Sequence, residues 1–86
     1  MKALVTGASG GIGRDMAKIL SAMGYDMILV ARSRDKLEAL KQELSTKVQV
    51  IPLDLSREQA CFDLYHQVKD QNIDVLINNA GYGMYG

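Results

Sequence analysis

Apolar residues along this chain alternate between two spacings. Near-continuous runs at Ala3 to Thr6, Met27 to Ala31, Lys47 to Leu53 and Ile73 to Asn78 have the length of strands buried on both faces. Between them, apolar residues recur every three or four positions. Ile12, Met16, Ile19, Leu20 and Met23 predict one buried face of a first helix, with Gly24 placed to end it. Leu37, Leu40 and Leu44 form the stripe of a second helix, which Ser33 is placed to cap and whose first turn favours Asp35. Cys61, Leu64, Tyr65 and Val68 share a face of a third, opened by Ser56 and Gln59 at capping-box spacing. Pro52 has no N–H to give to a ladder, so it belongs on an edge strand or at a strand's exit.

The resulting order is strand, helix, strand, helix, strand, helix, strand, with short connections. Repeated strand–helix units with continuous apolar strands imply a parallel sheet covered by helices. Right-handed crossovers then favour the order 3-2-1-4. The expected fold is α/β and doubly wound, a partial Rossmann-like sheet of four parallel strands with three helices.

Composition narrows the function classes. At 86 residues the chain makes one compact unit with a modest core. Net charge is zero with a pI near 6.5, and no run of like charges occurs, so nothing draws the chain to nucleic acid or an anionic membrane. The single cysteine, Cys61, has no internal disulfide partner. The apolar runs fall far short of the ~20 residues of a membrane span, and a cytoplasmic protein is expected. His66 has no second ligand at metal spacing, so no metal site is expected.

The stretch VTGASGGIG, Val5 to Gly13, places four glycines where the first strand turns into the first helix. There, backbone N–H groups and the positive end of the helix dipole converge on one crevice and form an anion site, most naturally for a pyrophosphate. Gly7 suits a tight turn with positive φ, Gly11 a close ligand approach, and Gly13 a helix lying close against the strand. Neither G-x-G-x-x-G nor a Walker pattern is present; the spacing is T-G-x-x-x-G-x-G.

TGASGGIG, Asp54-Leu55 after the third strand and NNAG at Asn78 to Gly81 after the fourth together resemble the short-chain dehydrogenase/reductase family across the whole chain. The resemblance implies that Gly7, Ser9, Gly10, Gly11, Ile12 and Gly13 wrap a dinucleotide's pyrophosphate and adenosine ribose. Asp54 would meet the adenine edge with Leu55 beside it. Asn79, Ala80 and Gly81 would line the adenosine and nicotinamide-ribose side, while Thr6 and Asn78 brace the sheet. The second strand ends Val30-Ala31-Arg32-Ser33 with no carboxylate for a ribose 2′-hydroxyl. Arg32, with Ser33 beside it, suits a 2′-phosphate, so NADP is expected over NAD. Some NADP-preferring relatives also carry a basic residue at the position of Gly10; this chain does not.

Members of the family transfer hydride between the cofactor and a carbonyl or alcohol, using a serine and a Tyr-x-x-x-Lys pair downstream of NNAG. The chain is therefore expected to be the dinucleotide-binding half of a longer oxidoreductase, inactive alone. Tyr65 and Lys69 match Tyr-x-x-x-Lys but precede the fourth strand, and read as a core tyrosine and a solvated lysine. Cys61, Met16, Met23 and Met27 read as core packing. Tyr82, Met84 and Tyr85 fall where relatives begin the segment facing substrate. The edge at Val75 to Ile77 is expected to be open to self-association. Two other classes stay open: a dinucleotide-sensing module without redox chemistry, and an interaction protein that has lost the nucleotide.

Overall fold

The computed structural model describes residues 1–79. They form β1 (Lys2–Thr6), α1 (Gly11–Ala22), β2 (Asp26–Ala31), α2 (Arg34–Glu43), β3 (Val48–Pro52), α3 (Glu58–Val68) and β4 (Val75–Asn78). The sheet order is β3-β2-β1-β4 and every pair is parallel, as the sequence predicts. Val5 stands beside Leu29 on one side and Ile77 on the other, which makes β1 an interior strand with both hydrogen-bonding edges occupied.

Side-chain alternation explains why the strands read as unbroken apolar runs. On one face, Ala3, Val5, Met27, Leu29 and Ala31 pack with Ala17 and Leu20 of α1 and with Leu37 and Leu40 of α2. On the other, Leu4, Ile28, Val30 and Ile51 pack with Leu55 and with Ala60 of α3. Both faces are covered, so the inner positions of the central strands, Ala3 to Val5 and Met27 to Ala31, are all apolar.

The helix ends follow local chemistry. Gly24, at φ +97°, turns the chain out of α1; its N–H donates to the Ser21 carbonyl at 2.9 Å and that of Tyr25 to Leu20 at 3.1 Å. This paired pattern satisfies carbonyls that the helix leaves open. Ser33 caps α2, its hydroxyl oxygen accepting the Lys36 N–H at 3.4 Å. Across the outer surface, Glu43 of α2 pairs with Arg14 at 3.1 Å and Lys18 at 2.9 Å of α1. Those two partners, Lys18 first, hold its carboxyl below the usual range.

Three expectations need correction. The expected buried face of α1 is largely outward: Ile12 is 71 % exposed, Ile19 53 % and Met23 64 %, with Met16 half-buried. Leu20 is buried as expected, but it is joined against the sheet by Gly13, Ala17 and Ser21, because small residues four apart let the helix backbone settle close to it. Ser21 is buried without cost to its hydroxyl, which lies 2.8 Å from that of Thr46. The capping box at Ser56 and Gln59 does not form. α3 starts at Glu58 without a side-chain cap, the Ser56 hydroxyl donates to Asp54, and the Gln59 amide donates to Asp63 at 3.1 Å. Tyr65 is not a core residue: it is 62 % exposed on the rim of α3, while Lys69 is exposed as expected. Among the described residues, no helix is long and apolar enough to cross a membrane.

Candidate functional site

The site begins where β1 ends. Gly7 takes φ +64°, a conformation that favours glycine, and the turn closes with the Gly10 N–H donating to the Gly7 carbonyl at 3.1 Å. The Ala8 N–H donates to the Val30 carbonyl at 3.1 Å, which anchors the turn to the end of β2. Gly10 is the N-cap of α1 and offers no side chain; the first bond of the helix runs from the Arg14 N–H to the Gly10 carbonyl at 2.8 Å. The N–H groups of Gly11, Ile12 and Gly13 therefore precede any intrahelical partner, and no acidic side chain occupies the first turn. A cluster of donors at the positive end of a helix favours an anion.

Gly13 and Gly11 serve different ends. A Cβ on Gly13 would run into the carbonyl of Gly7, with its carbon 2.9 Å away and Asn79 Nδ2 at 3.0 Å. Gly13 is thus where α1 touches the turn and the exit of β4. A Cβ on Gly11 would meet nothing within 4 Å. The space over Gly11 is open to a ligand approaching the backbone.

Beside the turn lies a crevice of about 210 Å³ above the carboxyl ends of the strands, where doubly wound sheets bind ligands. It is lined by Gly7, Ser9, Gly10, Arg32, Leu55 and Asn79 of the expected residues, joined by Val30, Ala31 and Leu53. The last three are strand ends and their neighbour, apolar residues without a motif. Only the rule that ligands gather at these ends could have picked them out. Gly11, Ile12, Gly13, Ser33 and Asp54 stand near the crevice in sequence but do not line it, and Ala80 and Gly81 lie outside the described residues, as do Tyr82, Met84 and Tyr85.

Arg32 follows β2 directly, is exposed, and makes no ion pair among the described residues, whereas Arg34 is within 3.9 Å of Glu38. No carboxylate stands at the end of β2; Ala31 occupies it. The Ser33 hydroxyl accepts from Lys36 and keeps its own hydrogen to donate. Asp54 closes a tight turn: one of its oxygens, Oδ1, accepts the Ser56 hydroxyl at 2.6 Å and the Ser56 N–H at 3.0 Å. Those two bonds, with the nearby charges of Arg32 and Arg57, hold its carboxyl below the usual range. Its Oδ2 is left as an acceptor of fixed charge.

The far wall is set by Thr6. This buried side chain donates to Asn78 Oδ1 at 3.0 Å and accepts the Asn79 N–H at 3.0 Å. A glycine cradle with free donors, an open approach over Gly11, a cation at the rim and an apolar slot at Leu53 and Leu55 together match a dinucleotide's diphosphate, ribose and base. Tyr65 and Lys69 do not line this crevice. Among the described residues, no three His, Cys, Asp or Glu side chains gather as a metal site.

Residues 1–86 match the short chain dehydrogenase family, and the chain belongs to it. It is 41 % identical over 86 residues to a very-long-chain 3-oxoacyl-CoA reductase of Mycosarcoma maydis, covering 92 % of this chain and 25 % of that protein. Its fold is similar to a short-chain dehydrogenase from Sphingobium yanoikuyae solved in complex with NADPH, with a TM-score of 0.83 at 36 % identity, covering 93 % of this chain and 34 % of that one. It is also similar to an alcohol dehydrogenase from the archaeon Thermococcus sibiricus complexed with 5-hydroxy-NADP, with a TM-score of 0.75 at 36 % identity, covering 86 % and 34 %. The chain spans about a quarter to a third of the length of these relatives.

Proposed function

We propose that residues 1–86 are the dinucleotide-binding half of a short-chain dehydrogenase and that they bind NADP(H) in preference to NAD(H). The observation that carries the reading is the crevice, with Arg32, exposed and without an ion pair among the described residues, on its rim and the unpaired helix-end donors of Gly11 to Gly13 next to it. Two of the solved relatives hold NADP-type cofactors, which supports the same choice.

In this reading, the N–H groups of Gly11, Ile12 and Gly13 take the diphosphate, with Ser9 adding a hydroxyl. Arg32 and the Ser33 hydroxyl take the ribose 2′-phosphate. Ala31 leaves room that an aspartate would fill, and would repel a phosphate if it did. Asp54, through its free oxygen, accepts the adenine amino group, and Leu55 packs beneath the ring. Asn79, positioned by Thr6, leads into Ala80 and Gly81 on the nicotinamide-ribose side. When bound, the cofactor supplies the hydride for reducing a carbonyl or receives one from an alcohol. The residues of this chain hold and orient it; proton transfer to substrate is assigned to side chains outside residues 1–86, so the chain alone is inactive. Its site is expected in the cytoplasm.

The test is calorimetric titration with NADPH and with NADH at low salt. Tighter binding of NADPH, lost in Arg32→Ala while NADH binding is unchanged, is the expected result. Equal affinity for both cofactors would overturn the NADP assignment, and no binding of either would overturn the half-site itself.

A further inference from the structure

Asp54 stands between Leu53 and Leu55, both of which line the crevice. The backbone on either side of it is fixed. The Leu53 N–H donates to the Ala31 carbonyl at 2.9 Å, the Arg57 N–H donates to the Asp54 carbonyl at 3.1 Å, and Leu55 is buried against the sheet. The carboxylate keeps one freedom, rotation about its own side-chain bonds, and Ser56 removes it. The Ser56 hydroxyl donates to Oδ1 at 2.6 Å and the Ser56 N–H donates to the same oxygen at 3.0 Å. Nothing in the packing calls for this clamp. Both bonds join residues two apart and tie no two elements together. The hydroxyl is also turned away from α3, which starts without a side-chain cap although a serine stands at its approach. What the clamp produces is an anion of set direction beside the crevice: both Ser56 donors take Oδ1, so Oδ2 is the oxygen left to accept.

We infer, resting on the dinucleotide reading above, that Ser56 is a positioning residue for the base and that through Asp54 it selects an amino purine over an oxo purine. An ionised carboxylate only accepts hydrogen bonds. The exocyclic amino group of adenine has N–H to give. The carbonyl oxygen of hypoxanthine has lone pairs alone and would face Oδ2 as acceptor against acceptor, leaving a desolvated charge without a partner. A carboxylate free to rotate would turn aside to water and tolerate either base, whereas one held in place by Ser56 cannot avoid the mismatch. Ser56 does not touch the base; it acts by holding Asp54.

Calorimetric titration of the 86-residue chain at neutral pH with NADPH, and with its deamino analogue in which hypoxanthine replaces adenine, tests this. The readout is the ratio of the two affinities. A general loosening of the fold weakens both ligands alike and leaves that ratio unchanged. The wild type should prefer NADPH at least about tenfold. Ser56→Ala keeps only the N–H bond to Asp54 and should reduce the preference to about threefold or less. Ser56→Thr should restore it, and Asp54→Ala should remove it. Far-UV circular dichroism checks that the variants fold. An undiminished preference in Ser56→Ala would overturn the positioning role and leave the dinucleotide reading intact. Equal binding of both ligands by the wild type would overturn the base selection while the diphosphate site stands. Binding of neither would overturn the half-site, and this inference with it.

Discussion

The Thr6 hydroxyl accepts the backbone N–H of Asn79 at 3.0 Å, so one side chain at the end of β1 fixes the exit of β4. The same hydroxyl donates to Asn78 Oδ1, which leaves neither role of the group unused. Thr6→Val keeps the shape and removes both bonds. It should destabilise the fold by about 1 to 3 kcal/mol, because the Asn79 N–H loses its partner. Urea unfolding measures the loss, and Thr6→Ser should restore most of it.

The two inner glycines of the turn should separate folding from binding. Gly13→Ala forces a methyl group against the Gly7 backbone, which overpacks the turn at a cost of about 1 to 3 kcal/mol or more. Gly11→Ala meets open space and should leave thermal stability equal or higher, by up to about 1 kcal/mol from helix propensity. Its effect should fall on NADPH affinity instead. Melting temperatures and titrations of the two variants should therefore move in opposite columns.

Much of this was legible in the sequence because continuous strand runs and Leu37, Leu40 report burial through large side chains. The face of α1 was not, since Gly13 and Ala17 are small and carry almost no apolar signal, yet small residues are what a close helix-to-sheet approach requires. The stripe of Ile12, Ile19 and Met23 has helical spacing whether it faces inward or outward. Around the crevice, Gly7, Ser9, Gly10 and Asn79 come from motifs, whereas Val30, Ala31 and Leu53 are placed only by strand order. The Ser56 cap failed for a local reason: a carboxylate two residues upstream competes for the same hydroxyl.

Asp54 gives a pH signature. Its folded carboxyl sits below the ordinary range, so the bonds from Ser56 favour the folded state above the unfolded carboxylate range, and this contribution is lost as pH falls through the folded value. Carboxyl carbon resonances followed by NMR should place Asp54 low in the wild type. Ser56→Ala removes the larger cause, the hydroxyl bond, and should move the midpoint upward. An unmoved midpoint would assign the shift to Arg32 and Arg57.

Gly24 should show a purely backbone cost. No atom lies within 4 Å of where a Cβ would stand, so Gly24→Ala meets no clash, only the strain of φ +97°. The expected loss is about 1 kcal/mol, with Gly24→Asn closer to wild type. Thermal unfolding of the two variants provides the comparison.

The interior place of β1 also sets an order of assembly. β1 precedes the other three described strands in the chain, and its pairing with β2 bridges a short stretch through α1. Its other edge must wait for β4, whose Asn78 lies 72 residues beyond Thr6. Long loops close late, since their ends meet less often and the entropy lost on closure is greater. Asn79, which lines the crevice, is thus brought to it by the most distant of the four described strands, and a ligand that touched Asn79 would clasp that strand in place. Ligand binding and the docking of β4 on β1 become one event.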